Sequence, residues 1–185
     1  MKKIAIIATC LLALGTTVFA YDLSVGVAGI FGYINDSWVS TDAQFDGEAK
    51  RYQPGGFAFF GTKYTEFNFS VRYSIDTYTY SSSRREDSRF LALSVGAYGK
   101  YPIALFEDVL VLFPTLGVDF DTIQDYIILW GRVGFGLDTF LNERFFFRVQ
   151  ALYGGGIPFL QLPEGYKSIT PGFAPLFKYG LGWMF

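Results

Sequence analysis

Apolar and polar residues alternate with a period of two along much of the chain. The clearest stretch covers residues 67–76, where apolar and polar residues take turns without a break: Phe67, Phe69, Val71, Tyr73 and Ile75 against Asn68, Ser70, Arg72, Ser74 and Asp76. Successive side chains of a β-strand point to opposite faces, so this alternation predicts a strand with one apolar and one polar face. Similar stretches recur along the chain, each about 10 to 12 residues long, close to the length of a tilted strand that crosses a membrane.

The pattern predicts eight strands, near residues 23–33, 55–64, 67–76, 89–101, 109–120, 129–138, 145–153 and 178–185. In strands one, three, four, six, seven and eight the odd-numbered apolar residues share a face. We expect that face to contact lipid and the even-numbered residues to face the interior. Strands two and five carry apolar residues on both faces, so the sequence leaves their orientation open.

The connectors between these strands alternate in length. Short ones are predicted at 63–66, 102–108 and 140–144, and long or polar ones at 34–54, 80–88, 121–126 and 155–172. Outer-membrane barrels have short periplasmic turns and longer external loops. Three turns and four loops join eight strands and leave both chain ends in the periplasm.

The amino terminus has the order of a secretory signal peptide. Two lysines precede an apolar run over residues 4–14, and small residues follow up to a cleavage site before Tyr21. The run is shorter than the roughly 20 residues that a membrane-spanning helix needs. We therefore expect a signal peptide at 1–20, removed on export, and a single mature domain at 21–185.

Composition narrows the fold class. The chain is 51% hydrophobic and 20% aromatic, yet glycines or polar residues interrupt every apolar stretch after residue 20. Only helices and closed barrels satisfy their backbone hydrogen bonds inside hydrocarbon. The sequence therefore predicts an all-β, eight-stranded antiparallel up-and-down transmembrane β-barrel in the bacterial outer membrane. The formal net charge of −2 gives no basis for a nucleic-acid partner.

Charged residues at inward positions predict a network inside the barrel. The cations, expected near mid-height, are Arg72, Arg132, Arg148 and Lys178, and the carboxylates that we expect to pair with them are Asp76, Asp119 and Asp138. Asp76 and Asp119 should lie higher than the cations, and Asp138 lower. An eight-stranded barrel has an interior about wide enough for side chains to fill, which favours a polar plug with a surplus of positive charge. Any pore through it should prefer anions.

The carboxyl terminus carries the most specific motif. An alternating row of apolar and aromatic residues ends at Phe185, as in the aromatic girdles of membrane barrels. We interpret this ending as the assembly signal that the insertion machinery reads, with the residues Lys178, Tyr179, Gly180, Leu181, Trp183 and Phe185.

This ending, together with the segment Phe113-Pro114-Thr115-Leu116-Gly117-Val118, resembles the small eight-stranded outer-membrane barrels typified by the OmpA transmembrane domain, OmpX and OmpW. The resemblance covers the whole mature chain and is mostly architectural. It implies outer-membrane lipid, periplasmic chaperones and the barrel-insertion machinery as partners.

Two functional interpretations stay open. One is a structural or surface-interaction barrel whose exposed loops contact a host or environmental ligand. The other is a narrow, porin-like channel for small hydrophobic molecules or anions, as the resemblance to OmpW implies. An enzyme is not expected, because the chain has no histidine, the commonest general base, and its one cysteine, Cys10, lies in the signal peptide.

No catalytic, cofactor or metal site is predicted. Asp42, Asp46 and Glu48 are close in sequence, but on a polar loop they indicate hydration rather than catalysis. Arg84 and Arg85 lie in a charged loop tip. They serve either solubility or contact with lipopolysaccharide phosphates or a host ligand.

Overall fold

The structure is a computed structural model that describes residues 23–40, 47–80, 85–106, 109–123, 126–158, 166–170 and 174–185. The predicted signal peptide and its cleavage site before Tyr21 lie outside the described residues. No helix in these ranges is both long and apolar enough to cross a membrane.

The described residues form ten β-segments: β1 (Ser24–Ser40), β2 (Gly47–Gly61), β3 (Thr65–Tyr80), β4 (Arg85–Lys100), β5 (Ile103–Leu105), β6 (Leu110–Ile123), β7 (Tyr126–Phe140), β8 (Phe145–Pro158), β9 (Tyr166–Thr170) and β10 (Leu176–Met184). Eight of them make a wall in which each neighbour is antiparallel, in the order β1, β2, β3, β4, β6, β7, β8, β10. The short β5 pairs with β6, and β9 pairs with β1.

The wall is closed because β1 pairs on both sides. One side runs along β2 from Ser24↔Gly61 to Trp38↔Gly47. The other runs along β10 from Ser24↔Met184 to Gly32↔Leu176. The predicted eight-stranded, antiparallel up-and-down barrel is therefore confirmed.

Local hydrogen bonds explain the two tight connections at one end of the barrel. Between β2 and β3, the Thr62 hydroxyl oxygen accepts from the backbone N–H of Tyr64 and of Thr65, both at 3.2 Å. Between β7 and β8, the Asn142 side-chain oxygen accepts from the backbone N–H of Arg144 and of Phe145, at 2.9 and 2.8 Å. Such side chains offer the backbone a turn in place of a strand. We call this end, which also holds Leu23 and Phe185, the turn end, and the opposite one the loop end.

The predicted extent of the connectors was wrong. β1 continues to Ser40 and β2 begins at Gly47, so most of the loop predicted at 34–54 is a paired hairpin. The loops predicted at 80–88, 121–126 and 155–172 are likewise shortened by strand residues, and the turn predicted at 102–108 contains β5. Strand pairing needs only backbone groups, and these loop-end segments lack the apolar face that the period-two pattern detects.

The predicted orientation of the regular strands is confirmed. Val71 and Phe147 are 37% and 39% exposed on the outer wall, whereas their sequence neighbours Arg72 and Arg148 are buried at 2%. The structure also fixes the two strands whose orientation was open. In β2 and β6 the odd-numbered residues face inward. Both faces of these strands are apolar because aromatic rings fill part of the interior.

The outward orientation of Val133 generates a test. It lies midway along β7 between Leu116 and Tyr153 and is 54% exposed on the outer face. We expect Val133→Arg to lower the free energy of unfolding in lipid by about 2–4 kcal/mol, because a cation at the bilayer midplane loses its hydration. Equilibrium unfolding in phospholipid vesicles measures the difference.

The matched control is Leu141→Arg, which adds the same charge at an exposed position in the turn after β7. Near the interface the cost should be about 0–1 kcal/mol. Equal costs for the two variants would contradict the assignment of Val133 to the membrane midplane.

Candidate functional site: the barrel interior

The interior is filled along most of β3, from Glu66 to Asp76. Its inward side chains, each no more than 4% exposed, are Glu66, Asn68, Ser70, Arg72, Ser74 and Asp76. A water-filled channel would leave such polar side chains accessible. The side chains therefore close the interior at the levels from Glu66 to Asp76.

A cluster of four charges lies nearest the turn end: Glu66, Lys100, Asp138 and Arg148. The Arg148 guanidinium donates to both Asp138 carboxylate oxygens, from Nε and Nη2 at 2.6 Å each. Its Nη1 donates to Glu66 Oε2, which also accepts from Lys100 Nζ at 3.3 Å. The planar guanidinium fork matches two carboxylates at once. We call these four residues the turn-end cluster.

Aromatic rings surround the Arg148 guanidinium. Its central carbon lies 4.6 Å from the ring centre of Phe59, 4.9 Å from that of Phe113 and 5.0 Å from that of Phe146. A cation over the face of a ring is attracted by the ring quadrupole. The charge of Arg148 is thus compensated by two carboxylates and three rings.

Glycines on neighbouring strands make room for these rings. A Cβ atom would collide with the facing ring at each of three glycines: Gly26 with Phe59, Gly136 with Phe113 and Gly182 with Phe146. These three glycines are therefore required for the packing of the rings. We call the three rings, with the Arg148 side chain that they surround, the aromatic plug.

A second cluster, at a middle level, centres on Asp119. Its Oδ1 accepts from the Tyr98 hydroxyl at 2.5 Å and its Oδ2 from Arg132 Nε at 3.3 Å. Arg132 Nη1 also donates to the backbone carbonyl of Ala174 at 2.6 Å, which ties β7 to the start of β10. The guanidinium stacks on Trp130 at 4.6 Å.

Lys178 enters the same level from β10 with its side chain 1% exposed. Its ammonium lies 4.3 Å from the ring centre of Tyr98 and 5.1 Å from that of Phe57. Among the described residues its Nζ has no hydrogen-bond partner. In the described part of the chain, the positive charge of Lys178 is therefore compensated directly by these two ring contacts.

A third cluster lies toward the loop end, around Asp76. The Arg51 guanidinium donates to both Asp76 oxygens at 2.5 to 2.8 Å. Ser74 Oγ and the Tyr78 hydroxyl add donors at 2.8 and 3.0 Å. Beside it, Arg72 donates to Gln53 Oε1 at 2.9 Å and pairs with Asp121 at 2.6 Å.

The structure places all seven residues of the sequence-predicted network on the inner wall, but it groups them differently. Arg132 with Asp119 and Arg148 with Asp138 form pairs from within the predicted set. The expectation that Asp76 pairs within that set was wrong, since its partner is Arg51. The four cations belong to three different clusters rather than to one.

Four charged members of the interior escaped the sequence analysis: Arg51, Glu66, Lys100 and Asp121. Arg51 and Asp121 fell in the loops predicted at 34–54 and 121–126, and Glu66 fell in a predicted turn. Lys100 could have been found, because it has the even parity of the inward face of β4. Among the described buried or half-buried charges, six are cations (Arg51, Arg72, Lys100, Arg132, Arg148 and Lys178) and five are carboxylates (Glu66, Asp76, Asp119, Asp121 and Asp138).

The residues of the predicted assembly signal lie on the strand that closes the barrel. Lys178 faces inward, Tyr179 and Leu181 are more than half exposed on the outer wall, and Gly180 packs against Ala28. The Trp183 ring meets Phe145 edge-on at 4.1 Å, and Phe185, which is 72% exposed, donates its N–H to the Leu23 carbonyl at 2.9 Å.

Other candidate sites gain no support from the described residues. No group of His, Cys, Asp and Glu there could hold a metal ion. Asp42, Asp46 and Arg84 lie outside the described residues, as does the side chain of Arg85. Glu48 is exposed.

Comparison with solved structures finds the same architecture. The chain is similar to the outer membrane protein OprG from Pseudomonas aeruginosa, at 12% sequence identity and a TM-score of 0.59, over 90% of this chain and 96% of that one. It is also similar to Neisserial surface protein A (NspA), at 11% identity and a TM-score of 0.48, over 88% and 97% of the two chains. Neither the family models nor the curated proteins give a match. The likeness to OprG shows that this fold is that of a small outer-membrane barrel.

The turn-end cluster generates a stability prediction. We expect Arg148→Met to lower the free energy of unfolding by about 3–5 kcal/mol, because it leaves Asp138 and Glu66 buried with too little positive charge. Urea unfolding in lipid, followed by tryptophan fluorescence, measures the loss.

Arg144→Met removes the same functional group from an exposed turn residue and serves as the control, with an expected change below about 1 kcal/mol. A triple variant, R148M with Glu66→Gln and Asp138→Asn, should recover part of the stability lost by R148M. If the triple variant is less stable than R148M, the stability loss of R148M does not come from uncompensated carboxylate charge.

Deletion of Phe185 should reduce assembly more than it reduces the stability of the folded barrel. Its side chain is exposed and one backbone bond ties it to Leu23, so little packing is lost. The level of the deletion variant in the outer membrane, compared with its unfolding free energy after refolding in vitro, separates the two effects. Phe106→Ala, which removes another highly exposed turn-end aromatic, is the control and should assemble normally. Normal membrane levels of the deletion variant would refute the assembly role.

Proposed function

We propose that this chain is an integral outer-membrane β-barrel with a closed interior and a structural or surface-interaction role carried by its loop end. The observation that carries the proposal is the burial of the inner face, where six consecutive inward side chains of β3 are at most 4% exposed. A barrel whose interior is closed by side chains acts through its outer wall and its ends.

The outer wall supports the membrane location. Exposed apolar side chains cover it on every wall strand; those at least 50% exposed on the wall are Val27, Leu91, Val95, Leu116, Val133, Phe135, Ile157, Tyr179 and Leu181. Monomeric soluble proteins rarely expose apolar patches beyond a few hundred Å². Lipid is the partner that such a surface fits, and delivery there implies periplasmic chaperones and the insertion machinery.

The proposed topology puts the turn end in the periplasm and the loop end outside. Short turns on one side and long hairpins on the other are typical of outer-membrane barrels. The β1–β2 hairpin extends beyond the β1–β10 pairing, which stops at Gly32, as far as Ser40. It offers a surface for a host or environmental ligand.

A narrow channel for anions or small hydrophobic molecules is the second candidate. It is favoured by Lys178, a buried cation with no carboxylate partner among the described residues. Conduction requires the plug of Phe59, Phe113, Phe146 and Arg148 to move aside. In the closed barrel that we propose, this plug stays in place at rest.

Planar-bilayer recording tests the proposal. The purified protein, shown to be folded by a heat-dependent shift on SDS gels, should give no steady current above the bare bilayer, with a porin as positive control. A steady current would overturn the closed barrel. Its reversal potential in a salt gradient then decides the second candidate, because anion selectivity supports that channel and cation selectivity contradicts it.

A further inference from the structure

A cavity of about 660 Å³ opens at the turn end, below the aromatic plug. Binding sites for small molecules are typically clefts of about 300–1,000 Å³ with mostly apolar walls and few polar groups. The cavity lies between the turn after β7, the β5 segment and the end of β10. It is separate from the loop end, which carries the proposed surface role.

The walls are apolar and the inner end is charged. Val111 and Phe140 line the sides, and Met184 lies at the rim. At the inner end are Lys100, Arg148 and Asp138, and two exposed turn residues, Lys63 and Glu143, complete the charged lining. An apolar body with one charged end fits this distribution.

At the inner end the two cations that line the cavity outnumber the one carboxylate, which favours an anion. Asp138 uses both carboxylate oxygens to accept from Arg148. The remaining free acceptor of the turn-end cluster, Glu66 Oε1, is buried, and Glu66 does not line the cavity. Lys100 does line it, and in the described part of the chain its Nζ donates one side-chain hydrogen bond, to Glu66. An ammonium has three donors, so Lys100 has donors left while the carboxylate beside it is occupied.

We propose that the turn-end cavity binds an anionic amphiphile, a single alkyl chain that ends in a carboxylate. The carboxylate accepts from Lys100 Nζ, and the alkyl chain lies along Val111 and Phe140 toward the mouth. On the proposed topology this site opens to the periplasm. It requires no passage through the plug, so it does not depend on conduction.

Binding of dodecanoate to the full mature barrel in nanodiscs tests the proposal by calorimetry, with empty nanodiscs as the blank. Dodecanol and dodecyltrimethylammonium have the same chain with a neutral or cationic end. We expect saturable binding of dodecanoate at least about tenfold tighter than of either analogue, a preference of about 1.4 kcal/mol. Absence of saturable binding overturns the site, and equal binding of dodecanol overturns the role of the carboxylate.

A pair of β5 variants locates the binding. Ala104 lines the cavity, whereas its neighbour Ile103 is 41% exposed and is not part of the lining. Ala104→Trp should fill the space and weaken dodecanoate binding at least about tenfold, and Ile103→Trp should leave it unchanged. Equal behaviour of these two variants would place the ligand elsewhere and refute the proposal.

Lys100→Gln addresses the charge. It should remove the preference for dodecanoate over dodecanol while the shape of the cavity is kept, and an intact preference would contradict the assigned contact. The variant alters a buried cluster, so the β5 pair remains decisive if it fails to fold. Bilayer recordings of the same preparation test the closed barrel separately, because either result there is compatible with a ligand at the turn end.

Discussion

Closure of the sheet is the constraint on which the rest of the structure depends. Inside hydrocarbon a strand edge has no water to satisfy its N–H and C=O groups. The chain meets this requirement when β10 pairs with β1 from Ser24 to Gly32. Closure creates an interior that water reaches only from the ends. Every charge that the strands turn inward must then be compensated there, by an opposite charge, a hydrogen bond or an aromatic ring, because an uncompensated buried charge is strongly destabilising.

The three charge clusters show how far the sequence predicts such an interior. Arg148 and Asp138 were expected inside because their strands alternate cleanly between apolar and polar residues. Arg51 and Asp121 were not, because the predicted strands two and five stopped short of them and placed both in loops. The faces of these strands could not be told apart either, since rings such as Phe57 and Phe113 lie inside. The period-two pattern detects a strand when its two faces differ in polarity. It has no signal when both faces are apolar, and it cannot show which inward charges meet across the lumen.

The extent of the strands was the other limit of the sequence analysis. Within the membrane a strand must present an apolar face, and this face is what predicted the eight segments. Toward the loop end the same strands continue as paired ribbons, as at Asn35↔Lys50, where backbone pairing extends beyond the apolar face. The side chains of the interior also differ between the two ends of the barrel. The rings of the aromatic plug and the turn-end cluster lie near the turns, and polar side chains such as Gln53 and Ser74 lie toward the loop end.

The contact between Arg148 and Glu66 joins residues 82 positions apart in the chain. The hairpin that supplies Glu66 and the one that supplies Arg148 can each form early, from neighbours in sequence. Their charges, however, can meet only across a completed circle of strands. A half-formed sheet would hold Arg148, Glu66 and Asp138 without the full set of partners and with open edges. The unmatched charges and the open edges therefore disfavour the same intermediates, and the barrel should form cooperatively, with the ends of the chain joining as the lumen is sealed.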